Sequence, residues 1–388
     1  MRLLHTSDWH IGRTIEGRDR HEEHEAFFDE LVEIADEEKV DAVLMAGDVF
    51  DSVNPSARGE ELFYESMARL SNKGKRPVVI IAGNHDHPDR LAAARTLLRK
   101  HRIYIQGYPT LDPLKIPIDG SEVQLCVAGL PYPSESRLKE SFTDINDELA
   151  IREAYDLKIS GIFEKLTSSF SKNDIRVAMS HLFVAGGAST ESERPIEVGG
   201  AYTVRATQLP EHVQYTALGH LHRPQDIKLS KAPARYAGSP LAFSFSEAGY
   251  AKSVTIVDVE PGEAADVKEV FLRSGRPLVK WKATEGLAQV HSWMDIQKDA
   301  QAWIELDVHM NDTPSMEDIH RLKKNYPRLL TIRPIFPDTK RVDGPERKHV
   351  AIDKLFKQFY ERQTGGASPD DELTRLFLEM VNDEEAGV

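Results

Sequence analysis

Short apolar runs rich in β-branched residues alternate with longer amphipathic stretches over about the first 260 residues. The runs at 2–6, 42–46, 78–82, 123–128, 176–179 and 215–218 predict buried strands. Between them, 22–39, 58–73, 89–100 and 148–169 repeat apolar residues every three or four positions and predict helices. That alternation specifies an α/β layered domain, and two later strand-like runs joined by turns, 235–239 and 252–259, make its sheet mixed. Pro261-Gly262 and Ser274-Gly275-Arg276-Pro277 mark a boundary, after which 278–283, 286–296, 303–309, 316–325 and 329–336 read as β-α-β-α-β. A polar linker at 337–345 leads to two amphipathic helices between 349 and 385, separated by Gly365-Gly366 and a Ser368-Pro369-Asp370 start signal. The expected organisation is a large α/β domain over 1–273, a small α+β domain over 274–340, and a linker with a helical tail over 341–388.

Composition narrows the class. Hydrophobic residues make up 40% and charged residues 29%, ordinary globular usage, and no apolar stretch approaches the roughly 18 to 20 residues of a membrane span. Met1-Arg2-Leu3-Leu4-His5 lacks the pattern of a secretory leader, and the single cysteine, Cys126, lies in an apolar run and reads as a small buried filler. These features point to the cytoplasm. The net charge of −14 argues against a generally basic nucleic-acid surface. Bound cations or a protein partner would have to supply what the chain's own charge does not.

The candidate chemistry sits just beyond strand C-termini: Asp8-Trp9-His10, Gly47-Asp48, Gly83-Asn84-His85-Asp86, Ser180-His181 and Gly219-His220-Leu221-His222. Any one of these is an ordinary turn or cap. Together they aim Asp, Asn and His from five strands at one sheet edge, where open α/β sheets bind ligands, and such sets mark metal or catalytic sites. Oxygen and imidazole donors without a thiolate suit manganese, iron, zinc or cobalt. His5, His21, His24 and His87 lie within or beside secondary structure and read as packing or surface residues.

In order and spacing these motifs resemble the calcineurin-like metallophosphoesterase superfamily over about the first 240 residues. The strings Thr6-Ser7-Asp8-Trp9-His10-Ile11-Gly12 and Gly47-Asp48-Val49-Phe50-Asp51-Ser52-Val53-Asn54-Pro55-Ser56, with Gly238-Ser239-Pro240, resemble its DNA break-repair nuclease branch. Protein phosphatases of the superfamily place an Arg soon after the second-motif Asp, and this chain does not. The resemblance implies a four-layer sandwich of two mixed sheets flanked by helices, with an α+β capping domain and a C-terminal helical tail. It implies two divalent ions, manganese favoured, one on Asp8, His10, Asp48 and His222 and the other on Asp48, Asn84, His181 and His220. His85 is then the general acid or transition-state stabiliser, with Asp86 its orienting partner or a plain turn residue.

Implied partners are DNA and an SbcC-type coiled-coil ATPase. The ATPase would be docked by the tail residues Ile352, Leu355, Phe356, Phe359, Leu373, Leu376, Phe377 and Met380. ATP hydrolysis falls to that partner, because this chain has no Gly-x-x-x-x-Gly-Lys-Ser/Thr loop. A homodimer within a heterotetramer is implied through Leu62, Phe63, Met67, Leu70, Leu91, Leu97 and Leu98, which core packing explains equally well. The leading expectation is a manganese-dependent DNA exonuclease and hairpin endonuclease. Its rivals are a nucleotidase or small-molecule phosphodiesterase and a non-catalytic scaffold.

Overall fold

The computed structural model describes residues 1–118, 120, 122–139, 148–194, 202–310 and 316–336, with 355–357, 360, 369, 373–375 and 377. Alternation along the buried strands decides its layering. In β1 (Arg2–Thr6), β2 (Ala42–Met45) and β3 (Val78–Ile81), successive side chains point to opposite faces of the sheet. Leu4, Val43, Met45, Val78 and Ile80 join Phe27, Phe28, Phe63 and Met67 of the helices His21–Glu37 and Ala57–Leu70 in one core. Leu3, Ala42, Leu44, Val79 and Ile81 face the other way and join Leu125, Val127, Val177, Met179 and Ala217 of a second sheet. The far side of that sheet packs Ala128, Ala178 and Leu218 under Tyr155, Ile159 and Phe163 of the helix Glu148–Thr167. Helix, sheet, sheet and helix therefore stack as layers around three apolar cores.

The remaining strands of these sheets are β4 (Ile103–Gln106), β5 (Leu114–Pro117), β6 (Gln124–Leu130), β7 (Ile175–His181), β8 (Phe183–Val184), β9 (Thr203–Val204), β10 (Tyr215–Gly219), β11 (Gln225–Asp226), β12 (Ala234–Tyr236), β13 (Ser253–Asp258) and β14 (Asp266–Phe271). Sheet order is β14-β13-β1-β2-β3-β4 in the first and β11-β12-β10-β7-β6-β5 in the second, while β8 and β9 pair separately. Parallel pairing from β1 to β4 and among β6, β7, β10 and β12 sends their carboxyl ends to one side. Antiparallel β13, β14, β5 and β11 make both sheets mixed.

One predicted helix is corrected. Residues 89–100 form separate turns, Pro88–Leu91, Arg95–Leu98 and a 3₁₀ turn Arg99–His101. Only Leu91 and Ala92 there are buried, and a continuous helix without a buried face is marginal. The strands β4, β5 and β14 were not anticipated; β14 carries three charged residues and buries none of its side chains.

Beyond the first two sheets come β15 (Leu278–Ala283), the helix Leu287–Asp295, β16 (Trp303–His309), the helix Met316–Asn325 and β17 (Leu329–Ile335), with sheet order β15-β16-β17. A buried carboxylate ties this sheet to the first helix. Glu23 accepts from the Trp303 indole at 2.8 Å and the Arg276 main chain at 2.9 Å, while Arg20 forks onto it at 3.0 and 2.6 Å.

Residues 1–309 with 314–334 form one compact unit, and 310–313 with 335–388 a second. In the second, the rings of Phe356 and Phe377 stack at 4.2 Å. The linker 337–345 and the tail positions Ile352, Phe359, Gly365, Gly366, Leu376 and Met380 lie outside the described residues. Among the described residues no helix is long and apolar enough to cross a membrane.

Candidate metal centre

Five strand ends converge where the two sheets meet. β1 runs into Asp8 and His10, β2 into Asp48, β3 into Asn84 and His85, β7 ends on His181, and β10 leads into His220 and His222. The turn after β1 stays in register with the turn after β2, through Asp8 N–H to Gly47 O at 2.9 Å and His10 N–H to Asp48 O at 3.0 Å. Between the two candidate ligands, Trp9 is fully buried, packs edge-on against Phe28 and donates to Thr6 Oγ1, which anchors the turn to the core. Asp8, His10, Asp48 and His220 all have positive φ, at 53°, 45°, 55° and 105°. Each such non-glycine residue costs of order 1–3 kcal/mol and persists only where its surroundings over-determine it.

The ligand atoms form three overlapping sets, each within 4.8 Å: Asp8, His10 and His222; Asp8, Asp48 and His181; and His10, Asp51 and His85. Asn84 joins the second through its Oδ1, 2.8 Å from His181 Nε2. The His220 ring stands edge-on to His181 at 5.4 Å between centroids and falls in none of the sets, while its main-chain N–H donates to both Asp8 oxygens, at 2.9 and 3.1 Å. His10 Nε2 and His222 Nε2 are 3.1 Å apart, the separation of adjacent ligands around one ion whose bonds are about 2.0–2.1 Å. Among the described residues Asn84 Nδ2 is buried without a hydrogen-bond partner, and His10 Nδ1 faces only the Asp51 carboxylate, 3.4 Å away. This oxygen and imidazole set fits divalent cations.

Protonation agrees with ligation. Burial, with repulsion from neighbouring cationic groups, pushes His220 down to about 3 and His222 well below the usual range. Burial also lowers His10, although Asp51 and Asp48 oppose it. These rings are therefore neutral, the form that binds a metal. Burial likewise pushes the Asp8 carboxyl up to about 8, partly offset by His181. Burial opposes the charge on Asp48 and His181 too, but their mutual attraction wins. It holds Asp48 well below the carboxylate range and lifts His181 to about 9. The protons kept on Asp8 and His181 thus lie where a cation's charge would replace them.

The surroundings set each ring. His181 Nδ1 donates to Ala46 O at 2.9 Å, which turns Nε2 inward. His222 rests its Nδ1 on Ser192 Oγ and its main-chain N–H on Glu193 Oε1 at 2.8 Å. Buried Lys252 grips the His222 carbonyl at 2.9 Å while paired with Glu247. His85 Nδ1 donates to the Asp51 main-chain oxygen at 2.8 Å, and Asp86 does not orient that ring. Fully buried, Asp86 accepts from Gly83, Val49 and Phe50 N–H groups at 2.8, 3.2 and 3.0 Å and so locks the second and third turns together.

Asp51, Ser192, Glu193 and Lys252 were not singled out from sequence. Asp51 alone left a signal, three residues beyond Asp48 in the same loop. His5 instead meets Tyr215, His24 meets Trp9 O and His87 caps the turn at Arg90, so none of them enters the centre. Of the apolar set on the two flanking segments, Leu62, Phe63, Met67, Leu70, Leu91 and Leu98 join the first core and Leu97 is exposed.

Glycines permit the crowding. A Cβ on Gly219 would lie 1.9 Å from Ala46 O and 2.9 Å from His181 Nδ1. Gly219→Ala is expected to cost about 1–3 kcal/mol and to weaken metal binding by displacing His181. Thermal melts and metal titration check this, and unchanged values in both would show that the sheets tolerate wider spacing.

The calcineurin-like phosphoesterase family model matches residues 1–224. The chain is 55% identical over 383 residues to the SbcD subunit of nuclease SbcCD from Bacillus subtilis (strain 168), covering 98% of each. It is 35% identical over 277 residues to the SbcD protein of Rhodobacter capsulatus, 68% of each, and 26% identical over 368 residues to that of Staphylococcus epidermidis, 94% of each. With Asp, Asn and His residues that could hold a metal gathered from the ends of strands spread across that match, the chain is a metal-dependent phosphodiesterase that belongs to the calcineurin-like phosphoesterase family, in the branch of the SbcD nuclease subunits.

Proposed function

We propose that the chain is the manganese-dependent nuclease subunit of an SbcCD-type complex in DNA repair and recombination, acting on double-stranded ends as an exonuclease and on hairpins as an endonuclease. The observation that carries this reading is the continuous run of Asp and His groups from His181 through Asp48, Asp8 and His10 to His85. Likeness to SbcD over nearly the whole chain supports DNA as substrate. Asp8, His10, Asp48 and His222 would hold one cation, and Asp48, Asn84, His181 and His220 the other. Bound there, the pair would supply Lewis-acid charge to the phosphodiester and would acidify a water for attack.

The chain's own groups do the rest. His85 is fixed by the Asp51 carbonyl through Nδ1, which leaves Nε2 to carry a proton to the leaving oxygen. Its main-chain N–H donates to Asp48 Oδ1 at 2.8 Å, so one turn positions both the acid and the shared carboxylate. In the same reading β15 to β17 cap the centre, the tail docks on the SbcC-type ATPase, and two such chains pair within a heterotetramer. The stacked Phe356 and Phe377 support a helical tail, while the dimer rests on family likeness, since only Leu97 of the residues offered for it is exposed.

The purified chain with Mn²⁺ should cut linear and hairpin DNA, and chelation should abolish cutting. Hydrolysis of bis(p-nitrophenyl) phosphate with no DNA cleavage would give the small-molecule phosphodiesterase instead.

A further inference from the structure

Positive charge is unevenly spread in this acidic chain. Residues 69–102 hold nine Lys and Arg against two acids, although the whole chain carries −14. Arg69 pairs with Asp29 and Arg90 with Glu60, while Arg76 is buried on Asp36 and main-chain carbonyls. Lys73, Lys75, Arg95, Arg99 and Lys100 form no ion pair among the described residues.

The fold gathers most of these at one edge. The turn holding Lys73 and Lys75 leads into β3, and the turn holding Arg99, Lys100 and His101 leads into β4. Parallel pairing sets Val78 against Ile103, and Val78 N–H donates to Arg102 O at 3.0 Å. A Cβ on Gly74 would lie 3.6 Å from the His101 main chain, so the turns touch. Lys73, Lys75, Arg99, Lys100 and His101 are all exposed. They lie at the amino ends of β3 and β4, whereas Asn84 and His85 follow the carboxyl end of β3.

Local folding makes little use of these charges: of Lys73, Lys75, Arg99 and Lys100, Arg99 alone lies over a ring among the described residues, that of Tyr104 at 6.0 Å. Lys73 occupies a left-handed position, φ 58°, that glycine or asparagine fills at lower cost, and neighbouring cations repel. The composition also argues against a protein partner, because interface cores are depleted of lysine and built on buried aromatic anchors. A phosphodiester backbone draws on clustered Lys and Arg without needing apolar contact.

We propose that this edge is a grip for the backbone of double-stranded DNA outside the metal centre, formed by Lys73, Lys75, Arg99 and Lys100. The proposal rests on the nuclease reading and names where an acidic chain finds its hold on the polyanion.

The test replaces all four residues by Gln in the full chain and measures binding to linear duplex DNA as salt is raised, with Mn²⁺-dependent hydrolysis of bis(p-nitrophenyl) phosphate as the control. Hydrolysis of the small ester should be unchanged. The slope of log affinity against log salt should fall by roughly 3 to 4, and affinity at about 0.1 M salt by on the order of a hundredfold. Exchanging the same positions between Lys and Arg should preserve both. An unaltered slope and affinity in the Gln variant would overturn the proposal, as would intact DNA binding with lost assembly on the ATPase, which would mark a protein-docking surface. If the unsubstituted chain neither bound nor cut DNA, the nuclease reading would fall first and the grip with it.

Discussion

Asp48→Ala is expected to lower phosphodiester hydrolysis by about 10⁴-fold or more and to empty both cation sites, because the proposed assignment places this one carboxylate on both ions. Asp48 Oδ2 lies 3.3 Å from His181 Nε2 and 3.5 Å from His10 Nε2, and its Oδ1 accepts from His85 N–H at 2.8 Å. Losing a group that merely orients a ligand costs about 10- to 100-fold in metal affinity. Removing the shared ligand costs more, and the two-ion chemistry has no reserve. The proton balance moves as well, since the Asp48 charge is what lifts His181 to about 9 against burial. Without it His181 loses the larger of the attractions that hold its proton, and of its anionic neighbours only Asp8 remains to oppose burial. Metal content by mass spectrometry and hydrolysis of bis(p-nitrophenyl) phosphate check the effect together. A variant that still bound two ions, or stayed within about tenfold of the parent, would show that Asp48 does not bridge.

Much of this candidate centre was legible because its Asp, Asn and His residues follow strand ends, and buried strands announce themselves as short apolar runs. Thr6 to His10 and Ile81 to His85 could be read that way, and they converge once parallel pairing is granted. What could not be read is the set of groups that aim the ligands. Ser192, Glu193 and Lys252 support His222 from 30, 29 and 30 residues away, and nothing local marks a Lys in a strand-like run as a buried clamp. Asp86 failed as an orienting partner for a similar reason. Its neighbour in sequence is His85, but its buried carboxylate is satisfied by main-chain N–H groups of two turns. At fold level, the α/β layering followed from apolar strand runs alternating with amphipathic helical stretches, while the solvated edge β14 was hidden by its charged residues. The segment 89–100 showed helical spacing but lacked a buried face to hold a continuous helix.

His85→Ala separates proton delivery from cation binding. DNA cleavage is expected to fall by about 10²- to 10⁴-fold, the range for losing a general acid. Metal content should stay intact, because the side chain lost is outside the two ligand sets that contain Asp8. The leaving group then decides what His85 does. A deoxyribose oxygen departs poorly unless protonated, whereas p-nitrophenolate leaves readily as an anion. Hydrolysis of bis(p-nitrophenyl) phosphate should therefore survive the substitution far better than DNA cleavage. The geometry favours this outcome: a carbonyl can only accept, so the Asp51 oxygen at 2.8 Å takes the Nδ1 hydrogen bond and leaves Nε2 as the ring nitrogen open to the leaving oxygen. Equal losses on the two substrates would instead make His85 a stabiliser of transition-state charge, and loss of bound metal would make it a structural neighbour of His10, whose ring it meets edge-on at 4.7 Å.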